Sequence, residues 1–428
     1  MKVKIITLGC KVNHYDSQSI LQHLTEYGYQ SAAENEPADV VIVNTCAVTN
    51  ESERKSRQMI RHCREQNPGA VVVVTGCMSE LAQSEADRLP AADIITGTQN
   101  REAIPALIEA YLLTQRSQYE FSPTDSLCTG ITHFEGKTRA TLKIQDGCTM
   151  YCTYCIIPYA RNRTESMPLA QIVTSVNQIC EAGYLETVLT GIHLASYMDR
   201  DGNRLIDVLE AIDAHTPLRR LRLGSLEPKL LSRSFLKRLS DLACFCPHFH
   251  LSLQSGSDAI LKRMNRKYTT EEYSEIVREI RSFFPEAMIT TDVIVGFPGE
   301  TEVFFEETLE FVRKIRFAHV HVFPYSPKKG TPAASYEQQI SKAEKHRRVG
   351  LLMQVVEAEK RKLYQQQIGT IQEVLTENTD ENGYAAGYSR NYLKVAVQNE
   401  TEANQLIRVR IIGGCAERLT ADKIIDFE

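Results

Sequence analysis

Three thiols stand within eight residues, in the run Cys148-Thr149-Met150-Tyr151-Cys152-Thr153-Tyr154-Cys155. A structural zinc site usually pairs two CxxC units to reach four ligands, and no fourth Cys or His lies close by in the sequence. Three thiolates on an iron–sulfur cubane would instead leave one iron open to bind and activate a small molecule. A zinc loop completed by a distant cysteine is the plainer reading of the same residues.

A second set of thiols is scattered along the chain. Cys10, Cys46 and Cys77 each close a strand-like run: Thr7-Leu8-Gly9-Cys10, Val43-Asn44-Thr45-Cys46 and Val74-Thr75-Gly76-Cys77. In a parallel sheet the ends of successive strands lie side by side, and ligands bind outside those carboxyl ends. The three thiols are therefore expected to converge at one sheet edge. Gly9 and Gly76 would let the backbone turn tightly around a bulky group. Three ordinary core cysteines are the alternative. The other six, Cys63, Cys128, Cys180, Cys244, Cys246 and Cys415, read as free thiols.

The start of the chain reads as too short in apolar residues for a signal peptide, and no run approaches the roughly 18 apolar residues of a membrane helix. The protein is expected to stay inside the cell, where clustered thiols serve as metal ligands or catalytic groups rather than disulfides. A net charge of −5 offers no general attraction to nucleic acid, so any RNA contact must come from local patches.

These thiols need elements to position them. In residues 1–114 the runs Val3–Leu8, Val40–Val43, Val71–Val74 and Asp93–Thr96 alternate with helical patterns at Asn13–Tyr27, Ser52–Gln66 and Glu80–Leu89. That alternation predicts a small, doubly wound parallel α/β domain, with Ser52 and Ser79 as helix caps. Residues 115–138 read as a linker rich in Ser, Thr and Gln and containing Pro123. In residues 139–366 six strand candidates, Ala140–Ile144, Thr187–Leu189, Arg220–Leu223, Phe249–Leu253, Ile289–Val295 and Ala318–Phe323, alternate with helices such as Leu169–Ala182 and Thr301–Lys314. They predict an incomplete (β/α)6 barrel, open on one side, with the Cys148 loop on the C-terminal face where barrel sites lie. A charged helix, Ser341–Gln367, bridges to residues 367–428. There Ile371–Leu375, Tyr384–Gly387, Tyr392–Val397 and Ile407–Ile412 predict a small antiparallel β-barrel.

The spacing of Cys148, Cys152 and Cys155 resembles the signature of radical S-adenosylmethionine (SAM) enzymes. With Cys10, Cys46 and Cys77 added, the chain resembles the methylthiotransferase family along essentially its whole length, with an N-terminal cluster domain, a radical SAM barrel and a C-terminal TRAM domain. Within the family it is most similar to the MtaB type, the tRNA threonylcarbamoyladenosine methylthiotransferases. Gln145-Asp146-Gly147-Cys148, Thr190-Gly191-Ile192-His193-Leu194, Leu251-Ser252-Leu253-Gln254-Ser255-Gly256-Ser257, Lys262-Arg263-Met264-Asn265-Arg266 and Phe323-Pro324-Tyr325-Ser326-Pro327 carry that likeness.

The resemblance implies two [4Fe–4S] clusters, each held by three cysteines, with all six as metal-binding and catalytic residues. It also implies one SAM for methyl transfer and another cleaved to a radical that takes hydrogen from the 2-carbon of the modified adenine. SAM contacts are expected from Thr190, Gly191, Ser225, Glu227, Gln254, Ser255, Val295 and Gly296, whose plainer role is turn and capping chemistry at strand ends. The implied partners are the anticodon stem-loop of tRNA, with its base flipped out, a reducing electron donor and a sulfur source, in the cytoplasm and without a membrane.

Candidate phosphate contacts are Arg54, Lys55, Arg57, Arg61 and Arg64; Lys262, Arg263, Arg266 and Lys267; and Arg161 with Arg163. Residues 367–428 hold 6 Lys+Arg and 10 Asp+Glu, so RNA binding there would need the stripe Arg390, Lys394, Arg408 and Arg410 with Tyr384, Tyr388 and Tyr392. His193, His319 and His321 read as core or loop residues. Other functions compatible with the pattern are the same chemistry on isopentenyladenosine or on a ribosomal-protein aspartate, or a non-catalytic RNA-binding protein with structural metal centres.

Overall fold

The computed structural model describes all residues except 34–35, 84–88, 90, 123–130, 132–133, 135, 380–384, 399–401, 416 and 425–428. Pro123, Cys128, Tyr384 and the second half of the expected helix Glu80–Leu89 lie outside the described residues.

Six strands, β1 (Lys2–Thr7), β2 (Gln30–Ser31), β3 (Val40–Thr45), β4 (Val71–Gly76), β5 (Ile94–Thr96) and β6 (Gln118–Glu120), form one parallel sheet in the order β2-β1-β3-β4-β5-β6. The Val- and Ile-rich runs suit strands buried on both faces. Val40 and Ile42 of β3 pack with Ile20, Leu24 and Ile108 from helices Lys11–Glu26 and Ile104–Thr114. Val41 and Val43 pack on the opposite face with Ile60 and Cys63 of helix Asn50–Gln66. That helix is capped by Thr49, and Ser52 is the reciprocal partner three residues inside it. Ser79 is likewise not a cap; it sits within the short helix Cys77–Leu81 and donates to the Thr96 carbonyl. Strand β6 comes from the stretch read as linker.

The central barrel comprises β7 (Ala140–Asp146), β8 (Glu165–Ser166), β9 (Glu186–Gly191), β10 (Arg220–Leu223), β11 (Ser225–Leu226), β12 (His248–Leu251), β13 (Met288–Val295) and β14 (His319–Pro324). They form two four-stranded sheets, β10-β9-β7-β8 and β11-β12-β13-β14. β10 and β11 are one run interrupted at Gly224, so a single strand passes from one sheet to the other. Counting it once, six parallel strands make the open (β/α)6 barrel, and β8 adds a short antiparallel edge to β7. Alternate residues such as Leu142, Leu189, Leu221, Phe249, Ile289 and Val320 face the surrounding helices in the main core. By the two-residue period of a strand, Lys143, Glu186, Arg222, His250, Asp292 and His321 face the barrel interior.

β15 (Ile371–Thr379), β16 (Ala385–Ser389), β17 (Lys394–Gln398), β18 (Leu406–Gly414) and β19 (Leu419–Lys423) close a barrel in the order β15-β16-β17-β19-β18. The sequence pattern missed β19. The barrel is not wholly antiparallel, because β17 and β19 run parallel. A closed ring of five strands cannot alternate direction throughout.

The terminal barrel is fastened to the central one by buried arginines. Glu186 pairs with Arg220 at 2.8 Å and Arg222 at 2.6 Å, and all three side chains are at most 2% exposed. Arg222 also donates to the Ser389 and Arg390 carbonyls, both at 2.7 Å. In return Arg390 donates to the Ala243 and Phe245 carbonyls at 2.8 and 2.7 Å. Tyr388 and Tyr392 stack at 4.7 Å, with the Arg139 guanidinium 4.6 Å from the Tyr388 ring centre. Arg390, Tyr388 and Tyr392 therefore hold two domains together, whereas the sequence assigned them to an RNA-binding stripe.

Burial alone would raise the Glu186 pKa, but Arg222, Arg220 and Arg139 outweigh it and hold the carboxyl below its ordinary value. Its contribution is complete above the unfolded-state carboxylate pKa and is lost as pH falls through the lower folded-state value. Glu186→Ala, which leaves two buried guanidiniums uncompensated, is expected to cost about 3–5 kcal/mol. Urea unfolding at neutral pH measures this, and the loss should shrink as the pH is lowered.

Candidate functional site

Each N-terminal thiol sits where a parallel strand ends. Cys10 is the residue before helix Lys11–Glu26, Cys46 follows β3, and Cys77 opens the short helix after β4. Gly9 has φ +116°, and a Cβ there would lie 3.2 Å from Cys46 Sγ, so the backbone before Cys10 packs directly on that thiol. Gly76 has φ +103°, and a Cβ there would meet the Thr45 carbonyl oxygen at 2.5 Å. Burial pushes the Cys77 thiol up, with Cys10 adding to the rise, and burial with a contribution from Cys77 does the same to Cys46. The three thiols thus sense one another's charge. Cys46 and Cys77 are buried while Cys10 is exposed, which leaves the group open on one side.

The second group lies in the loop after β7. Gly147, at φ +79°, cannot carry a side chain, because its Cβ would be 2.0 Å from the Arg163 carbonyl oxygen. The loop is clamped by Thr153 N donating to the Met264 carbonyl at 3.1 Å and Asn265 Nδ2 donating to that of Tyr151 at 3.1 Å. Burial, aided by Cys152 and Cys148, pushes the Cys155 thiol up to about 12. Arg266 donates to Cys152 Sγ at 3.3 Å, to Glu227 Oε2 at 2.7 Å and to Tyr268 Oη at 3.0 Å. It is a buried partner of the thiol loop and not the phosphate contact expected from its basic run.

Arg161 joins the two groups. Its guanidinium binds both oxygens of Asp146 at 2.9 and 2.7 Å, Asp16 Oδ2 at 2.9 Å, Asn13 Oδ1 at 3.1 Å and Cys77 Sγ at 3.4 Å. Lys143 bridges the same carboxylates at 2.9 and 2.5 Å, and Arg101 reaches Asp16 at 3.0 Å. Every one of these charged side chains is at most 7% exposed. Three cations face two carboxylates, and Arg161, the one beside Cys77, partly offsets the rise that burial imposes on its thiol. Arg161, too, is absent from the surface assigned to it. The residues missed in the sequence, Asn13, Asp16, Arg101, Lys143 and Asp146, had one visible signal: Lys143 is a charge in the middle of an apolar strand run.

The eight expected SAM contacts separate. Thr190 and Gly191 end β9 beside Gln145. Ser225 is exposed in β11. Glu227 follows β11, and its Oε1 is buried with no partner among the described residues, as is His193 Nε2. A cavity of about 630 Å³ opens there, lined by Met150, His193, Glu227, Lys229 and Lys267 among others. Of the eight, Glu227 alone lines it. Gln254, at φ +72°, is locked to β13 through backbone bonds with Asp292 and Ile294 at 2.8 and 2.9 Å. Ser255 is buried 3.4 Å from the Thr308 hydroxyl, Val295 is in the core, and Lys345 fills the space where a Cβ on Gly296 would stand.

Among the basic runs, Arg54, Arg57 and Arg64 pair with Glu51, Glu53 and Asp93. Lys55, Arg61, Lys262 and Lys267 remain exposed.

Comparison with known proteins agrees with this architecture. Residues 2–97 match the family described as Uncharacterized protein family UPF0004, and residues 142–312 match the Radical SAM superfamily. A Bacillus subtilis protein named threonylcarbamoyladenosine tRNA methylthiotransferase MtaB is 36% identical over 423 residues, covering 95% of this chain and 92% of the relative. A protein of the same name from Chlamydia pneumoniae is 36% identical, covering 95% of this chain and 94% of its own length. A Thermodesulfovibrio yellowstonii protein named tRNA-2-methylthio-N(6)-dimethylallyladenosine synthase is 34% identical over 96% of this chain and 95% of its own length. The radical SAM methyltransferase TsrM from Kitasatospora setae shares the fold at 15% identity, with a TM-score of 0.57 over 89% of this chain and 79% of that one. With relatives above 30% identity along nearly its whole length and both family regions present, the chain belongs to the radical SAM methylthiotransferases, and within them to the MtaB type.

Proposed function

We propose that this enzyme converts threonylcarbamoyladenosine beside the tRNA anticodon to its 2-methylthio derivative. In this reading Cys148, Cys152 and Cys155 hold the SAM-binding [4Fe–4S] cluster, and Cys10, Cys46 and Cys77 hold the second. The observation that carries it is the pair of thiol triads facing a shared junction, joined through Arg161. The relatives named for threonylcarbamoyladenosine support the nucleoside; the one named for dimethylallyladenosine keeps that substrate as the second reading.

The residues suit the cofactors. Burial without iron raises the pKa of thiols in both triads, and each triad has a guanidinium donor against one sulfur, Arg266 at Cys152 and Arg161 at Cys77. Such donors favour anionic sulfur and tune the centre it ligates. The unpaired Glu227 Oε1 and His193 Nε2 offer two polar atoms toward a ligand beside the first triad. When bound, the clusters and SAM supply a radical able to take hydrogen from an unreactive carbon, and the methylthio group that replaces it.

The chain's own residues do the rest. Arg266 orients Glu227 while holding Cys152, and the Arg161 network sets the spacing of the two domains across the target base. The carbon to be modified is covered in a stacked anticodon, so the base must be flipped into the space between the domains. Among the described residues of the basic runs, Lys55, Arg61 and Lys262 are exposed cations without a carboxylate partner, open to phosphates. The sulfur source and the electron donor come from outside the chain, and a tRNA substrate points to the cytoplasm.

Expression of the chain in a host lacking methylthiotransferases should give 2-methylthio-threonylcarbamoyladenosine in nucleoside mass spectrometry of its tRNA. Gain of the group on isopentenyladenosine alone would favour the second reading. Substituting Ala for Cys148, Cys152 or Cys155 should abolish reductive SAM cleavage in anaerobic assays. Substituting Cys10, Cys46 or Cys77 should stop sulfur insertion while cleavage at the other cluster continues. The same phenotype from both triads, with both clusters assembled, would contradict the division of labour.

A further inference from the structure

The inner wall of the barrel carries polar groups that neither cluster uses. His250 Nδ1 lies 2.9 Å from Thr290 Oγ1, and its Nε2 lies 3.1 Å from Asp292 Oδ2. His248 Nε2 reaches the same Thr290 hydroxyl at 3.1 Å. The His321 ring stands 5.8 Å from that of His250 and 4.5 Å from that of His319. One ligating atom from each of His250, Asp292 and His321 falls within 4.8 Å of the others. This wall is accessible, since Asp292 is 28% exposed and His321 is exposed. The sequence reading of His319 and His321 as plain core or loop residues misses this placement.

Lys11, the residue after Cys10, is exposed and lies within electrostatic reach of this wall. Its charge is felt by both His321 and His248, and no carboxylate pairs with it among the described residues. It also lines a cavity of about 480 Å³ at the junction of the three domains, with Arg139 and Lys394. Burial, with contributions from His321, Lys360 and His250, lowers His319 to about 4, and burial likewise lowers His321. At neutral pH these imidazoles are uncharged donors and acceptors, and Lys11 is a cation within reach of His321. Phe323, two residues beyond His321 on the same strand face, is 48% exposed and offers a ring on which a flipped base can stack.

We propose that Lys11, His250, Asp292 and His321 form the specificity site for the substituent on the target adenine, and that it takes a charged, hydrogen-bonding group derived from an amino acid. The inference rests on the reading of threonylcarbamoyladenosine as substrate and assigns its recognition. Lys11 receives the carboxylate of the threonyl group. Asp292, oriented by the His250 Nε2–H that donates to it, accepts from its hydroxyl, and the His321 imidazole hydrogen-bonds the carbamoyl group beside it. A dimethylallyl group meets the same wall without one hydrogen-bonding atom, leaving polar side chains desolvated and unpaired, which is how a polar site rejects an apolar analogue.

The test is equilibrium binding by the full-length, cluster-loaded enzyme of two anticodon stem-loops, one carrying threonylcarbamoyladenosine and one carrying plain adenosine at the same position. The native chain should prefer the modified RNA. Lys11→Met should reduce that preference about tenfold or more, the worth of one charge-assisted hydrogen bond, and His321→Leu about fivefold, the worth of one neutral hydrogen bond; both positions are exposed. A merely structural role would weaken both RNAs together and leave the ratio intact, which would overturn the proposal. So would a divalent ion bound stoichiometrically through His250, Asp292 and His321, lost in His321→Leu with the RNA preference unchanged. If the native enzyme fails to methylthiolate the modified stem-loop at all, the substrate reading itself falls. If it does so while the variants keep its preference, this assignment alone falls.

Discussion

A guanidinium at 2% exposure survives only where hydrogen-bond acceptors and opposite charge replace the water it has lost, and Arg161 meets that condition by drawing partners from two domains. Asp146 comes from its own barrel, while Asp16, Asn13 and Cys77 come from helices of the N-terminal domain. Neither domain could bury this charge alone. The Arg161 side chain therefore commits the two thiol triads to one relative placement, and Lys143 and Arg101 reinforce it through the same carboxylates. In the proposed function the two triads act in turn on one base, and a fixed separation serves that, because small misplacements of reacting groups are costly in rate.

The same logic runs through the barrel interior. Strand positions facing the helices are apolar and belong to the core, while the positions facing inward carry Lys143, Glu186, Arg222, His250, Asp292 and His321. A closed eight-stranded barrel fills its interior with branched apolar side chains. This one is open, and its interior polar groups fall into two sets. Toward the terminal barrel, Glu186 and the arginines pair with one another and with terminal-barrel carbonyls, and serve as structure. The histidine wall instead keeps accessible polar atoms, which is what suits it to the recognition proposed for it.

The terminal barrel changes the view of how RNA is held. Its most obvious RNA-binding features, Tyr388, Tyr392 and Arg390, lie against the central barrel, where stacking and carbonyl contacts occupy them. The acidic balance of residues 367–428 fits this role as an attached domain whose basic groups are partly engaged inward. Lys394 remains at the three-domain cavity, on the same side as Lys11.

Local pattern made much of this protein legible. Valine-rich runs separated by helical spacing gave the parallel sheet and the barrel strands because period and β-branching act on neighbouring residues, and the strand-end position of Cys10, Cys46 and Cys77 implied their convergence because parallel connections bring successive strand ends together. The CxxxCxxC loop was legible for the same reason: its chemistry lies in its spacing. The sequence could not show which charges are buried, since Arg161 and Arg266 look like any surface arginine until partners more than 80 residues away close on them. Nor could it place the parallel closure of the terminal barrel, the interface role of Tyr388 and Tyr392, or the gathering of His250, Asp292 and His321 on one barrel wall. These depend on contacts between segments distant in the chain, and whether a charge is solvated, paired or aimed at a ligand is decided only by what the tertiary fold brings to it.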